Sequence, residues 1–592
     1  MVNDTDALPR EIDELIATVV ARTRLRRRER TDIARELHTH FRDGLAAGRV
    51  PSDLIRDFGD PIASARALRA GSLAKRSRFD RGFHLALTAA CWGFGALVAV
   101  YAIAVLGLRA SPPVISFDAT AQYLAKFPVA PEGDQAWPLY KRGLVALADP
   151  VPDGGAAPTT GRELTFKNLG PTEGAALPGD PGWEQTRQAI VERQGGIDQI
   201  VAGSRKRALG YLPGFSRRLE DADVMHVGAR SSGGSTSQQT MFSILLPQLS
   251  PIRRAATLVA TDSLMAIERG HGQRFVDDVD AMLRLAVHVE EGHLLISQLV
   301  GTAIRALAFE RVIMAMEWKP DALSDAQLDQ LAEVLESIPA SAFEADLSGE
   351  ELGLMDFIQR TYSDDGAGDG YFNAAHGAAL LHLMDGVTTG TGGALGDDPA
   401  FNTLTAPLQA MAFASRREVT ELIATTCRRT EAESRRPLWE QDLGYDDELE
   451  QKFHSSGWAK VKWTIPRMLL PALARVAHAR QLSKGARDAA RMAVAMIHYR
   501  RTHGGSWPTT LADLSPASLP KAPVDPYNGA PLRYRLDGGV PFAWSVGKDG
   551  RDEAGQPPSS TSGRPARVNS PSDPDWVWFV GGDELARWKP DR

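Results

Sequence analysis

The chain has 592 residues, 43% of them hydrophobic and 24% charged, with a formal net charge of -7. At roughly 100–200 residues per domain this predicts about three to five units, and so ordinary a composition excludes wholesale disorder, a collagen and a polytopic transporter. Two cysteines, Cys91 and Cys427, are too few for a disulfide scaffold or a four-cysteine zinc site.

Residues 9–24 predict a first helix, with Ile12, Leu15, Ile16 and Val19 at helical spacing. A second helix runs from about Arg26 to Ala47, with Ile33, Leu37, Phe41 and Leu45 on one stripe. Gly48 marks its stop and Pro51 opens a third, short helix. The basic run Arg24–Arg30 is interleaved with Glu29, and Asp32 and Glu36 follow it. That mixture reads as a solvated helix face near anionic lipid, and no nucleic-acid partner is expected.

Residues 82–108 hold no Asp, Glu, Lys or Arg. About 26 helical residues at 1.5 Å each reach about 39 Å, enough for a ~30 Å hydrocarbon core with some tilt. A transmembrane helix in contact with lipid is therefore expected at 82–108. About 80 preceding residues of soluble character exclude a cleaved signal peptide. Lys75, Arg76, Arg78 and Arg81 crowd the N-terminal flank, and Arg109 alone follows directly. The positive-inside rule then puts residues 1–81 in the cytoplasm and residues 110–592 outside it, as a single-pass inner-membrane protein. The charge balance agrees with such a division. Residues 1–81 carry 17 Lys+Arg against 13 Asp+Glu, a balance of +4, and the remainder carries 50 against 61, or -11.

The N-terminal motifs resemble a known module. Glu36-Leu37-His38 on a charged helix is followed by Gly48, the corner Phe58-Gly59-Asp60-Pro61, and a last helix with Ala65, Leu68 and Arg69. This order resembles the HAAS-type domain of bacterial membrane proteins. The resemblance implies a small cytoplasmic helical interaction module without catalytic residues.

In the middle region, residues 137–148 and Trp183–Leu209 predict helices, separated by a Pro/Gly-rich loop at 149–182. A Gly/Ser-rich loop follows at 226–240. Helices are expected at Ile252–Glu268, Phe275–Val289 and Leu294–Met316, with Ser324 capping a fourth that reaches Leu335. The first two, joined at Gly270, resemble one tetratricopeptide-like hairpin. The stretch also resembles the extracytoplasmic region of membrane proteins from planctomycete-type bacteria, which implies no function. Residues 363–400 read as a Gly/Asp/Thr-rich surface insertion, and helices resume at Leu408–Arg435 and from Trp458 to His503, bent at Pro466 or Pro471.

The C-terminal part changes character. Strands are expected at Leu532–Leu536, Pro541–Val546 and Trp576–Val580, with a hairpin turn at Asp537-Gly538-Gly539. The ordered motifs Tyr499-Arg500, His503-Gly504, Pro523-Val524-Asp525-Pro526, Gly529, Pro531-Leu532 and Ser545…Gly547…Asp549-Gly550 resemble the globular head of type II secretion pseudopilins. The resemblance implies an α+β head, and it places Asp549 and Asp552 where such heads bind calcium. No assembling pilin is implied. The apolar helix lies far upstream, and Leu87 stands where the prepilin glutamate would be.

The expected fold is mainly α: a cytoplasmic helical module (1–75), one transmembrane helix (82–108), a large α-helical extracytoplasmic domain with long loops (111–480) and a small α+β pseudopilin-like head (486–592). No phosphate-binding or dinucleotide loop, GxSxG or HExxH motif occurs. His288, Glu290, Glu291 and His293 form the densest metal-ligand grouping, with His288 and His293 the zinc candidates. Asp364, Asp365 and Asp369 form an acidic Gly-rich stretch, and Glu350, Glu351 and Asp356 are candidate paired carboxylates. Trp137, Trp183 and Trp318 suit either core packing or a ligand groove. Cys427 reads as a small buried thiol. The expected function is an envelope scaffold with protein partners and no resident cofactor. The alternatives are a metal-dependent hydrolase, with Glu310 and Asp364 completing its histidine ligands, and a receptor signalling through the cytoplasmic module.

Overall fold

A computed structural model describes residues 8–75, 78–110, 113–148, 178, 182–212, 241, 246, 248–374, 399–442, 444–555 and 575–581. The loops expected at 149–182 and 226–240, Arg76 of the basic flank, and most of the insertion beyond 374 lie outside them. The fold is mainly helical, and the chain divides into two compact units, Met1–Ala104 and Val105–Arg592.

The first unit opens with α1 (Arg10–Thr23), α2 (Arg27–Ala46), α3 (Pro51–Phe58) and α4 (Pro61–Lys75). The expected stripes Ile12/Ile16/Val19 and Ile33/Leu37/Phe41 meet Leu54 and Ala65 in one core. At Gly44 an added Cβ would lie 2.7 Å from Leu54 Cδ2, so α2 and α3 approach closely here and a larger residue would displace the Leu54 side chain. The corner at 58–61 has a mechanical cause. Gly59 takes φ +77°, the Asp60 carboxylate accepts from the Ile62 and Ala63 amides at 3.0 and 3.1 Å, and Pro61 occupies the first helical position. Asp60→Ala is expected to cost about 1 kcal/mol, read as a lower urea midpoint of this unit.

Helix α5 (Arg78–Ala110) carries a 23-residue stretch, Ala86–Leu108, with mean hydropathy 2.1, and no residue of it before Leu108 is buried. Trp92, Phe94, Leu97 and Ile103 are each at least 65% exposed. A core helix hides a face against its neighbours, and this one hides none before Leu108. It is long and apolar enough to cross a membrane.

The second unit contains α6 (Ala119–Leu124), α7 (Trp137–Leu147), α8 (Trp183–Glu192), α9 (Gln194–Ser204), α10 (Leu249–Glu268), α11 (Gly272–Glu290), α12 (Leu295–Trp318), α13 (Asp325–Glu336) and α14 (Ser348–Thr361). It continues with α15 (Pro399–Ala412), α16 (Arg416–Ser434), α17 (Gly444–His454), α18 (Gly457–Lys462), α19 (Thr464–Leu469) and α20 (Pro471–Thr502). Helices α10, α11 and α12 pack in succession and α20 lies along α12. Gly270, at φ +74°, makes the first turn, and Ser324 with Gln327 forms the capping box of α13.

Two long helices expected from periodicity are broken. The Trp183–Leu209 stretch forms α8 and α9, parted at Arg193 ahead of Gly195-Gly196. The glycines serve packing: a Cβ at Gly196 would meet Leu147 Cγ at 2.9 Å, and one at Gly143 would meet Ile200 Cδ1 at 2.8 Å. The Trp458–His503 run forms α18, α19 and α20, with breaks at Trp463 and Leu470 and Pro471 starting the long final piece.

Strands β1 (Arg533–Asp537), β2 (Val540–Ser545) and β3 (Trp576–Val580) form an antiparallel sheet in the order β1-β2-β3. Gly538 and Gly539 turn the hairpin at φ +58° and +87°, as a two-residue loop with both positions left-handed requires. Asp525 is 1% exposed and ties the preceding turn to the sheet. It accepts from the Tyr527 amide (2.9 Å), the Ser545 hydroxyl (2.8 Å) and the Val546 amide (2.8 Å). Trp576, Trp578 and Phe579 share one apolar core with α10–α12 and α20, and the Val580 amide donates to Glu317 on α12 at 2.9 Å. Residues 480–486 lie inside the unbroken helix α20, and the other face of the sheet packs Trp544, Val577 and Val580 in a small cluster of its own.

Candidate functional site

The residues singled out for zinc do not converge. His288, 3% exposed, is consumed on both nitrogens: Tyr140 donates its hydroxyl to Nδ1 at 2.7 Å, and Nε2 donates to the Lys206 carbonyl at 3.1 Å. Burial pushes its pKa down to about 4. His293 instead pairs with Asp346 at 2.7 Å, Glu310 lies 3.4 Å from Arg311, and Asp364 pairs with Arg416 at 2.7 Å. His288 is on α11, which ends at Glu290, and His293 lies beyond that end at φ +48°, so the two leave the chain in different directions.

The calcium candidates are likewise committed. Asp549 accepts from the Arg551 amide at 3.0 Å. Asp552 accepts from Trp544 Nε1, the Ala554 amide and Arg533 Nε, each at 3.0 Å. Calcium takes six to eight oxygens, and among the described residues these two carboxylates belong to no group of three or more His, Cys, Asp or Glu side chains. Among the described residues no group of three His, Cys, Asp or Glu side chains is arranged to hold a metal. The Asp364–Asp369 stretch caps its own turn: Asp365 accepts from the Ala367 and Asp369 amides at 2.8 and 3.0 Å.

The other carboxylates are also internal. Asp356, fully buried, accepts from the Met241 amide, Gln359 and Arg360 at 2.8–2.9 Å. Glu350 accepts from the Leu295 amide at 3.2 Å, and burial raises its pKa. Glu351 lines a groove of about 790 Å³ with Lys126, Met355 and Arg416. Cys427 is buried, and burial pushes its thiol up to about 12, so it is no nucleophile.

Two buried charge clusters went unnoticed in the sequence. Glu290 binds both Arg305, at 2.9 Å to Nη1, and Arg480, at 2.7 Å. Both guanidiniums also donate to the Ala342 carbonyl at 2.8 and 2.9 Å. Arg274 holds Asp262 at 2.7 Å and Asp278 at 3.1 Å, and burial beside Asp262 raises the Asp278 pKa well above the carboxylate range. Glu290 and Arg480 are 190 residues apart and leave no local signature, whereas Arg274 and Asp278 stand at i, i+4 on α11.

Glu291 supplies a pH signal. It accepts from the Leu209 amide at 2.8 Å, and burial pushes its pKa from 4.5 up to about 7. The folded state then binds this proton more tightly than the unfolded state, so stability falls as pH rises through that range and levels above it. His288 acts in the opposite sense, lowering stability as pH falls below 6.5 toward about 4. Glu291→Gln is expected to shrink the drop in urea midpoint between about pH 5 and about pH 7.5.

An open cleft of about 650 Å³ lies where the α10–α11 turn, the end of α12 and the end of α20 come together. Trp318 and Trp507 line it with Arg269, Lys319, Arg500, Glu268 and Asp321. Lys319 stands 5.1 Å from the Trp318 ring and donates to the Glu268 carbonyl at 2.8 Å. Arg500 lies 5.0 Å from the Trp507 ring. Glu268 is held by Trp183 Nε1 at 3.2 Å and by Arg187 at 3.5 Å. Trp137, by contrast, is core, with its ring 4.7 Å from Tyr211. Chemically, the cleft offers two aromatic walls and guanidinium groups that have no carboxylate partner among the described residues, a setting for an anionic group on a flat or apolar stem. The chain matches no family model, no curated protein and no solved structure.

Proposed function

We propose that this chain is a single-pass membrane protein of the bacterial envelope that works by protein–protein interaction. The observation that carries this is α5: 23 consecutive residues of mean hydropathy 2.1, none of them buried before Leu108. On this proposal the N-terminal four-helix unit is a cytoplasmic HAAS-like module and the large unit is extracytoplasmic, ending in a pseudopilin-like arrangement of α20 and three strands. The basic flank before α5 supports that direction. The Gly59-Asp60-Pro61 corner and the Asp525 turn are consistent with the two resemblances. A metal-dependent hydrolase would need His288, His293, Glu310 and Asp364 to meet, and each has a different partner.

The tryptophan-lined cleft is the proposed contact site, and its cations suit an acidic segment of a partner. A photo-crosslinking residue at Asp321, on the cleft rim, is expected to give one discrete adduct in intact membranes. Arg500→Glu is expected to abolish it. An adduct indifferent to Arg500→Glu, or none, contradicts the assignment.

A further inference from the structure

Helix α15 is built inside out for an aqueous surface. Residues 399–412 contain no charged side chain. Its inward positions include Asn402 and Ala406, 2% and 0% exposed. Its outward positions are the large apolar ones: Leu404 is 60%, Leu408 58% and Met411 81% exposed. Spacing of i, i+4 and i+7 sets these three in one stripe. A helix resting on a water-facing body shows the opposite order.

Its position is informative. Asn373 Nδ2 donates to the Leu108 carbonyl at 2.9 Å, in the last turn of α5, which belongs to the second unit. The ring of neighbouring Phe372 lies 5.3 Å from that of Phe413, the residue after α15. Leu108 and Ala406 belong to the same apolar cluster. The Ala414 amide then donates to the Lys462 carbonyl at 2.8 Å, which attaches α18 alongside. That short helix exposes Trp458 (61%) and Val461 (40%) and carries Lys460 and Lys462. Lys462 is paired with Glu418 at 2.5 Å, so the remaining cations are Lys460 and Lys452, which lies 4.5 Å from the Trp463 ring. Tryptophan with lysine is the composition of a membrane–water boundary.

We propose that α15 and α18 form a lipid-contacting surface. The stripe Leu404–Leu408–Met411 and Trp458 enter the interfacial layer of the membrane that α5 crosses, and Lys452 and Lys460 meet anionic phospholipid headgroups. This rests on the reading of α5 as a membrane anchor. Lipid is the occupant because buried contacts through Phe413, Phe372 and Asn373 attach the base of α15 to the last turn of the apolar helix. The flanking lysines supply the matching charge.

The full chain, reconstituted in vesicles of phosphatidylethanolamine and phosphatidylglycerol, tests this. An environment-sensitive fluorophore goes on Met411→Cys, and separately on Leu408→Cys, each with Cys91→Ser. Cys427 is 1% exposed and stays unlabelled. In the unsubstituted chain, a label on native Cys91 reports the span itself. The expected result is blue-shifted emission at 408 and 411, quenched by nitroxide carried on the lipid chains and weakened when phosphatidylglycerol is omitted. Quenching at Cys91 without quenching at 408 and 411 overturns the surface and spares the anchor. No quenching at any site overturns the anchor, and this proposal with it. Blue-shifted labels at 408 and 411 that lipid nitroxide leaves unquenched mean a protein covers the stripe, a second copy or another partner, and overturn lipid as the occupant.

Discussion

Glu290→Ala is expected to destabilise the second unit by about 3–5 kcal/mol, the largest effect of any single substitution considered for this chain. Glu290 is the only carboxylate within ion-pair distance of Arg305 and Arg480 among the described residues, and those arginines are 1% and 3% exposed. Removing it leaves two desolvated guanidiniums facing each other. The two ion pairs join α11 to α12 and to α20, so the loss falls on the middle of the core. Gly301 marks how closely the carboxylate is held, because a Cβ there would meet Glu290 Cγ at 2.5 Å. The measurement is the thermal midpoint of the detergent-solubilised chain. Replacing Glu290, Arg305 and Arg480 together by apolar residues of similar volume is expected to recover much of the loss, since well-packed apolar groups replace buried ion clusters at little cost. A midpoint unchanged by Glu290→Ala would mean that the cluster opens to water.

Asp525→Ala is expected to cost about 3 kcal/mol, because hydrogen bonds to a charged group contribute about 1.5–3 kcal/mol each and two buried donors and one part-buried donor would lose their acceptor. The effect is local. Asp525 accepts from the Ser545 hydroxyl and the Val546 amide at the end of β2, and from Tyr527 in the turn before β1. Hydrogen exchange is expected to accelerate across β1 and β2 while α10–α12 stay protected. Asp525→Asn should retain part of the stability. Its single carbonyl oxygen still accepts, but its amide nitrogen is a donor and cannot answer the Val546 N–H.

Periodicity made the helices of the N-terminal unit and the α10–α13 run legible, because each carries a single apolar stripe with a glycine or serine boundary. The hairpin at Gly538-Gly539 and the apolar helix 82–108 were legible for equally local reasons, two left-handed turn positions and an absence of charge. The breaks at Arg193 and Trp463 were not, since a helix–helix crossing through Gly143 and Gly196 is settled by the partner helix. The metal candidates failed for a related reason. His288 and His293 are near in sequence, but their partners, Tyr140 and Asp346, come from distant segments. Conversely, Trp318 and Arg500 are 182 positions apart and meet only because α20 returns along α12.

Protease digestion of intact spheroplasts, with antibodies to a tag at each end of the chain, tests the central claim most directly. An anchored chain with its large unit outside is expected to lose the C-terminal tag and to keep a membrane-bound N-terminal fragment ending just beyond α5. Survival of the C-terminal tag with loss of the N-terminal one would reverse the orientation. Release of the whole undigested chain by alkaline carbonate would contradict the anchor itself.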